Sequence, residues 1–161
     1  MDFLIKLAAQ DLIVVPVLAT FYIFWRLEKS KRQNFLILLI GGGILSLLLA
    51  KIGNHFYWDP RPFIKDGITP LFTAHRDNGF PSDHTLLSAF LGFVTLGYWR
   101  KLGAALLVVA VIVGWARVAA GVHHFVDIIG SFIFTGLAWL LVSKLINTRP
   151  KKSQSIPSTT K

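Results

Sequence analysis

Four stretches of this chain, residues 35–50, 85–99, 102–116 and 128–143, run for 15 or 16 positions without one charged side chain. No water-soluble domain of 161 residues has room for four such segments, since each needs its whole circumference covered. The mean hydropathy of +0.58 and a hydrophobic share of 53% point the same way. At about 1.5 Å per residue a clean run covers roughly 23 Å, short of the roughly 30 Å hydrocarbon layer, so flanking residues must extend each helix. A fifth, looser run over residues 4–25 is interrupted by Lys6 and Asp11. The expectation is an all-α integral membrane bundle of five spanning helices, with the connections after the first and third runs too short for a soluble domain.

Charge then sets the topology. The chain has 17 Lys and Arg against 8 Asp and Glu, a formal net charge of +9. Eleven of the 17 fall in three places: Arg26, Lys29, Lys31 and Arg32; Arg100 and Lys101; and Lys144, Arg149, Lys151, Lys152 and Lys161. These segments alternate onto one face, which the positive-inside rule makes cytoplasmic. Basic residues placed between apolar runs fit lipid headgroups rather than nucleic acid. The amino terminus, the 57–80 connection and the 117–127 turn then lie outside. The first run has no basic start and no small-residue cleavage site, so it is expected to be a retained helix rather than a leader. A membrane-embedded domain over residues 1–146 and a disordered cytoplasmic tail over 147–161, rich in Ser, Thr, Lys and Pro, complete the organisation. There is no internal repeat, and the absence of Cys excludes disulfides, thiolate metal sites and a Cys nucleophile.

With this orientation the ionisable residues gather at one boundary. The second run ends outward at Lys51, the third begins at His84, the fourth ends at Arg117 and the fifth begins after Asp127. Any one helix must end in something polar, but all five His residues lie between positions 55 and 124, on outward segments. A ring of Lys, Arg, His and Asp at the membrane edge is a functional-site candidate. Such a ring suits phosphoryl transfer, where fixed cations and backbone N–H groups stabilise charge spread over phosphoryl oxygens. Arg61 and Arg117 offer planar forks for those oxygens. Ser82 precedes the third run as a helix N-cap, with the first free N–H groups behind it able to face an anion. His123 and Asp127 are four apart, which on a helix puts them on one face, the carboxylate fixing the imidazole tautomer. That spacing alone serves equally as a structural hydrogen bond or half of a metal site; the nearby cations weigh against a metal. His124 points elsewhere and receives no role.

These residues resemble the type-2 phosphatidic acid phosphatase superfamily, membrane relatives of the vanadium haloperoxidases. The resemblance rests on Arg61-Pro62, on Pro81-Ser82-Asp83-His84, and on Arg117 followed by His123 and Asp127 at the family's intervals. The motifs span positions 51 to 127. Three departures stand out. The position six before Arg61 holds Asn54 rather than Lys, with Lys51 one helical turn earlier; Ala116 replaces the usual Ser; and Asp83 replaces Gly, as in bacterial undecaprenyl pyrophosphate phosphatases of the superfamily. Five helices instead of the common six imply a trimmed amino-terminal part.

The resemblance implies that His123 is the nucleophile that forms a phosphohistidine, that Asp127 orients it, and that His84 protonates the leaving oxygen and then activates water. It implies that Arg61, Arg117, Ser82, Asp83 and Lys51 make up the phosphate-binding set, with no metal and no other cofactor. His123 is expected at a polar rim, where its removal would abolish turnover and leave the fold intact. The implied substrate is a membrane lipid phosphate or pyrophosphate, first undecaprenyl pyrophosphate, with phosphatidylglycerol phosphate, phosphatidic acid and lipid A phosphates as alternatives. The implied location is a bacterial plasma membrane with the site facing outward. Tyr57, Trp58, Phe63, Phe72 and Phe80 would form an interfacial belt and lid, or equally an ordinary aromatic anchor. A small anion transporter is the reading of a different class. Short helices, the missing repeat and the His–Asp pair disfavour it. A purely structural membrane subunit would leave the polar ring unexplained.

Overall fold

The computed structural model describes residues 1–148. The tail expected from residue 147 therefore lies, from 149 onward, outside the described residues. Seven helices follow one another: α1 Asp2–Gln10, α2 Val14–Arg26, α3 Lys29–Phe56, α4 Pro62–Lys65, α5 Asp83–Leu96, α6 Arg100–Ala119 and α7 Phe125–Asn147. No strand forms among the described residues; one isolated bridge joins Pro60 to Asn78.

The looser first run bends where its sequence demands. Pro16 has no N–H and its ring collides with the carbonyl four residues back, at Leu12. The hydrogen bonds shift register there: Leu12 N–H reaches the Leu7 carbonyl at 3.1 Å, and Val14 and Val15 reach Asp11 and Leu12 at 3.0 and 3.1 Å. α1 and α2 together still make one apolar span, Asp2–Arg26. Spans Lys29–Phe56, Arg100–Ala119 and Phe125–Asn147 are each long and apolar enough to cross a membrane, and Asp83–Leu96 is a shorter apolar helix. The architecture is thus an all-helical, multi-pass membrane bundle of four candidate spans and one shorter apolar helix, where five spans were expected.

α5 is the centre. It touches α2, α3, α6 and α7, and Thr85, Leu86, Ser88, Ala89, Phe90, Leu91, Val94 and Thr95 are buried along it. The helices meet through small residues, as expected where lipid removes the hydrophobic drive between them. A Cβ on Gly92 would approach Leu107 Cδ2 at 2.9 Å, so α6 lies directly on α5 there. Phe80 occupies a slot between α3 and α7 that exists because Gly53 and Gly130 lack side chains. The outward faces stay apolar and exposed, with Ile44, Leu47, Val108, Val111, Ile129, Ile133, Leu140 and Leu141 facing where acyl chains would lie. Hydroxyls inside the bundle fold back on their own helices: Ser46 donates to the Gly42 carbonyl at 2.8 Å and Thr135 to the Ser131 carbonyl at 2.7 Å.

The aromatic residues of the connection divide between inside and outside. Phe80 is core, with its ring 4.9 Å from Tyr57 and 5.8 Å from Phe134. Phe72 is half-buried, whereas Tyr57 and Trp58 are exposed. Phe80 therefore belongs to the packing of the bundle and is not a belt or lid residue. At 14 residues α5 is about 21 Å long, and the connection lies between the end of α3 and its start.

Candidate active site

The site forms where the start of α5, the end of α6, the start of α7 and the connection meet. It lies at the end of the bundle opposite Lys29, Lys31, Arg100, Lys101 and Lys144, which stand at the start of α3, the start of α6 and the end of α7.

α6 ends at Ala119, and the chain reverses through Gly121, whose φ of +72° is a conformation that side chains with a Cβ rarely adopt. This turn delivers His123. Its imidazole is buried, with a side-chain exposure of 2%, and Nδ1 lies 3.0 Å from Asp127 Oδ2. The expectation of a polar rim position is corrected here: the nucleophile candidate sits beneath the surface. The pairing geometry also differs from a shared helix face. His123 precedes α7, whose N-cap is His124, and Asp127 is the third residue of that helix. The same Asp127 Oδ2 accepts the His124 backbone N–H at 2.9 Å. One carboxylate oxygen therefore caps the helix and holds the imidazole, so the tautomer with the proton on Nδ1 follows from the cap.

The other ring nitrogen faces two guanidinium groups. Arg61 Nη1 lies 3.1 Å from His123 Nε2 and Arg117 Nη2 lies 3.3 Å from it. Arg61 is buried and further fixed by Asp77 Oδ1 at 2.9 Å from its Nε and by the Val122 carbonyl at 3.1 Å from Nη1. Arg117 is 7% exposed; its Nη1 donates to the Ala9 carbonyl at 3.4 Å and its guanidinium lies 5.4 Å over the Phe72 ring. No carboxylate pairs with Arg117 among the described residues, and its Nε has no hydrogen-bond partner there. Burial holds the His123 imidazole below its ordinary pKa, the charges of Arg117 and Arg61 add to that, and the bond to Asp127 pulls the other way. His123 is therefore neutral near pH 7.

A cavity of about 260 Å³ opens onto these groups, lined by Arg61, Asp83, His84, Arg117 and His123 and walled by Gln10 and the 72–75 segment. His84 and Asp83 reach it from the first turn of α5. Ser82 is the N-cap residue of α5 but is fully buried and does not line the cavity: its Oγ accepts from Thr85 Oγ1 at 3.2 Å, its N–H meets the Asp127 carbonyl at 3.3 Å, and its own carbonyl accepts from Ser131 Oγ at 2.9 Å. Ser82 thus ties the start of α5 to the first turns of α7. Lys51 is exposed on α3 and is not brought to the cavity; the neighbouring Asn54 donates from Nδ2 to the Phe80 carbonyl at 2.6 Å.

Three residues at the site had no signal in the sequence: Ala9 and Gln10 arrive from the first helix, and Asp77 from the connection, where it meets Arg61. Phe72, expected in the aromatic belt, lies instead against the Arg117 guanidinium. Asp59, His124 and Asp127 carry ligand-type atoms within 4.8 Å of one another. The His124 ring, the Asp59 carboxylate and Asp127 Oδ2 are engaged among themselves and with His123, so the group is a hydrogen-bonded network.

The PAP2 superfamily model matches residues 34–151. YbjG of Escherichia coli (strain K12), provisionally named an undecaprenyl-diphosphatase, is 35% identical over 144 residues, covering 86% of this chain and 69% of the relative. The undecaprenyl-diphosphatase BcrC of Bacillus subtilis (strain 168) is 29% identical over 109 residues, which is 68% of this chain and 56% of BcrC. The chain thus spans a little over half of one relative's length and about two thirds of the other's. The crystal structure of a transmembrane PAP2-type phosphatidylglycerolphosphate phosphatase from Bacillus subtilis superposes with a TM-score of 0.59 at 23% identity, over 91% of this chain and 75% of that one, and so shares the fold. On the family match over most of its length, the chain belongs to the PAP2 superfamily.

Proposed function

We propose that this chain is a lipid phosphatase that hydrolyses a phosphate or pyrophosphate ester through a phosphohistidine, with undecaprenyl pyrophosphate as its first substrate. The observation that carries the reading is the buried Arg117, which forms no salt bridge among the described residues and whose Nε has no partner, beside an imidazole already fixed by Asp127. A buried guanidinium is costly without an anion, and a phosphoryl group supplies one.

The steps follow from the geometry. His123 Nε2, whose lone pair now faces Arg61 and Arg117, attacks phosphorus as the bond to the leaving lipid oxygen breaks, while the two guanidinium groups take up the phosphoryl oxygens. Asp127 stabilises the charge that develops on the ring. His84, on the cavity wall, gives its proton to the departing oxygen; it then takes one from a water that attacks phosphorus, and the P–N bond breaks to release phosphate and free His123. The guanidinium pair supplies the positive charge in this scheme, with no metal and no cofactor in the reaction. The names of YbjG and BcrC support the polyprenyl pyrophosphate, as does the resemblance at Asp83, which lies on the cavity wall. The basic ends of α3, α6 and α7 support a bacterial plasma membrane in which the site faces outward.

The test is phosphate release by the full chain in detergent, with and without a chelator. Release that persists in chelator and disappears in both His123→Ala and His123→Asn is expected; release that requires added divalent metal, or that survives loss of His123, would overturn the reading. A panel of undecaprenyl pyrophosphate against glycerophospholipid phosphates decides the substrate.

A further inference from the structure

The ring of His124 and the carboxylate of Asp59 stand behind the site and take no part in the steps above. His124 Nδ1 lies 2.8 Å from Asp59 Oδ2, and its Nε2 lies 3.4 Å from Asp66 Oδ2. Asp59 is 4% exposed, with Lys65 Nζ 3.8 Å from its other oxygen. Its backbone is held as firmly: the N–H donates to Asn78 Oδ1 at 2.9 Å and the carbonyl accepts from Gly79 N–H at 2.9 Å. Asn78 in turn donates from Nδ2 to the carbonyls of Asn54 and Tyr57 at 3.0 and 2.9 Å, which anchors the segment to the end of α3. A Cβ on Gly79 would meet Asp127 Oδ2 at 3.1 Å, so this segment lies directly against the capping carboxylate.

The placement matters because of what flanks the pair. Arg61 is two residues after Asp59, and His123 is one before His124. The Asp59 carboxylate is buried and its Oδ2 lies 2.8 Å from the His124 ring, so the contact fixes the distance between the two segments. We propose that Asp59 and His124 are positioning residues whose contact pins the 59–61 segment to the N-cap of α7 and thereby sets where Arg61 meets His123 Nε2. The inference rests on the phosphatase reading of the same site. His124 N–H donates to Asp127 Oδ2 in the capping box of α7, a bond that any side chain at 124 retains, and what a substitution at 124 takes from the 59–61 segment is the contact of the ring with Asp59. An Asn at position 124 offers a donor close to where Nδ1 stands; a Phe fills the space with none.

The experiment uses the full chain in detergent, after phosphate release by the wild type and its loss in His123→Ala have been established. His124→Phe is expected to lower kcat by about ten- to a hundredfold, the range that an ångström of misplacement costs, with a smaller change in KM. His124→Asn is expected to recover most of it. Asp59→Ala combined with His124→Phe is expected to be no worse than either alone, because the two act as one contact. A Phe variant that turns over like the wild type, an Asn variant as slow as Phe, or additive single effects would overturn the proposal. The ¹⁵N resonances of the His123 ring give a readout that needs no turnover: the Nε2 signal moves in His124→Phe if Arg61 has shifted, and an unmoved signal sinks the positioning role. A wild type that releases no phosphate would defeat the phosphatase reading, and the Nε2 signal would still decide the positioning.

Discussion

Asp127→Asn is the sharpest perturbation because it removes one charge and almost no volume. The carboxylate is fully buried and its Oδ2 lies 3.0 Å from His123 Nδ1. At that distance, with an effective dielectric of about 20, a full unit charge on the imidazole interacts with the carboxylate by about 5 kcal/mol. In the transition state only part of that charge has formed on the ring, and taking half gives about 3 kcal/mol, or about a hundredfold in kcat/KM at 1.4 kcal/mol per decade. The amide oxygen can still accept the His124 N–H, so the cap survives and the fold is expected to hold. The assay is phosphate release from undecaprenyl pyrophosphate over a range of substrate concentrations, with thermal unfolding of the same samples. A variant within twofold of wild type would refute the idea that Asp127 stabilises charge on His123. A variant that loses its fold would show that the helix cap, rather than the chemistry, needs the charge.

Three further outcomes follow from the same geometry. His84→Gln is expected to lower kcat by about 10²- to 10⁴-fold, the usual worth of a general acid and base, and single-turnover mixing should show both halves of the reaction slowed. Gly121→Ala places a Cβ where φ is +72° and 3.1 Å from Ile68 Cγ2, so chemical unfolding should show a loss of about 1–2 kcal/mol together with lower turnover, since that turn carries His123. Burial lowers the folded pKa of His123, so below its ordinary value of 6.5 the unfolded chain binds a proton that the folded chain refuses. Stability should therefore fall as the pH drops below 6.5, and His123→Asn should flatten that slope in thermal unfolding followed at pH 5.5 and 7.5.

Several levels of this protein were legible in its sequence. The charge-free runs require helices, because a backbone in lipid must satisfy its own hydrogen bonds, and apolar helices stand where the five runs are, four of them long enough to cross a membrane and one shorter. The alternation of basic ends places all the motif residues at one end of the bundle, and Arg61, Asp83, His84, Arg117 and His123 share one cavity there. A local pattern was enough for these, since each lies at a helix end and helix direction alternates with the chain.

What the sequence could not supply was contact between distant segments. Spacing paired His123 with Asp127, but the pairing works through the cap of α7 and not a common helix face. Ser82 reads as a phosphate ligand, yet its neighbours from α7 bury it as a tie between helices. Lys51 is one helical turn from Asn54, and helix α3 leaves it exposed away from the cavity. The His124 ring has no partner of its own along the chain and meets Asp59 only across 65 residues. Ala9, from the bent first helix, accepts from Arg117 across 108 residues. Helix formation is decided within one or two turns by hydropathy; which polar side chains meet is decided by how helices pack, a property that glycines such as Gly53, Gly92 and Gly130 set through close approach and that no linear spacing encodes.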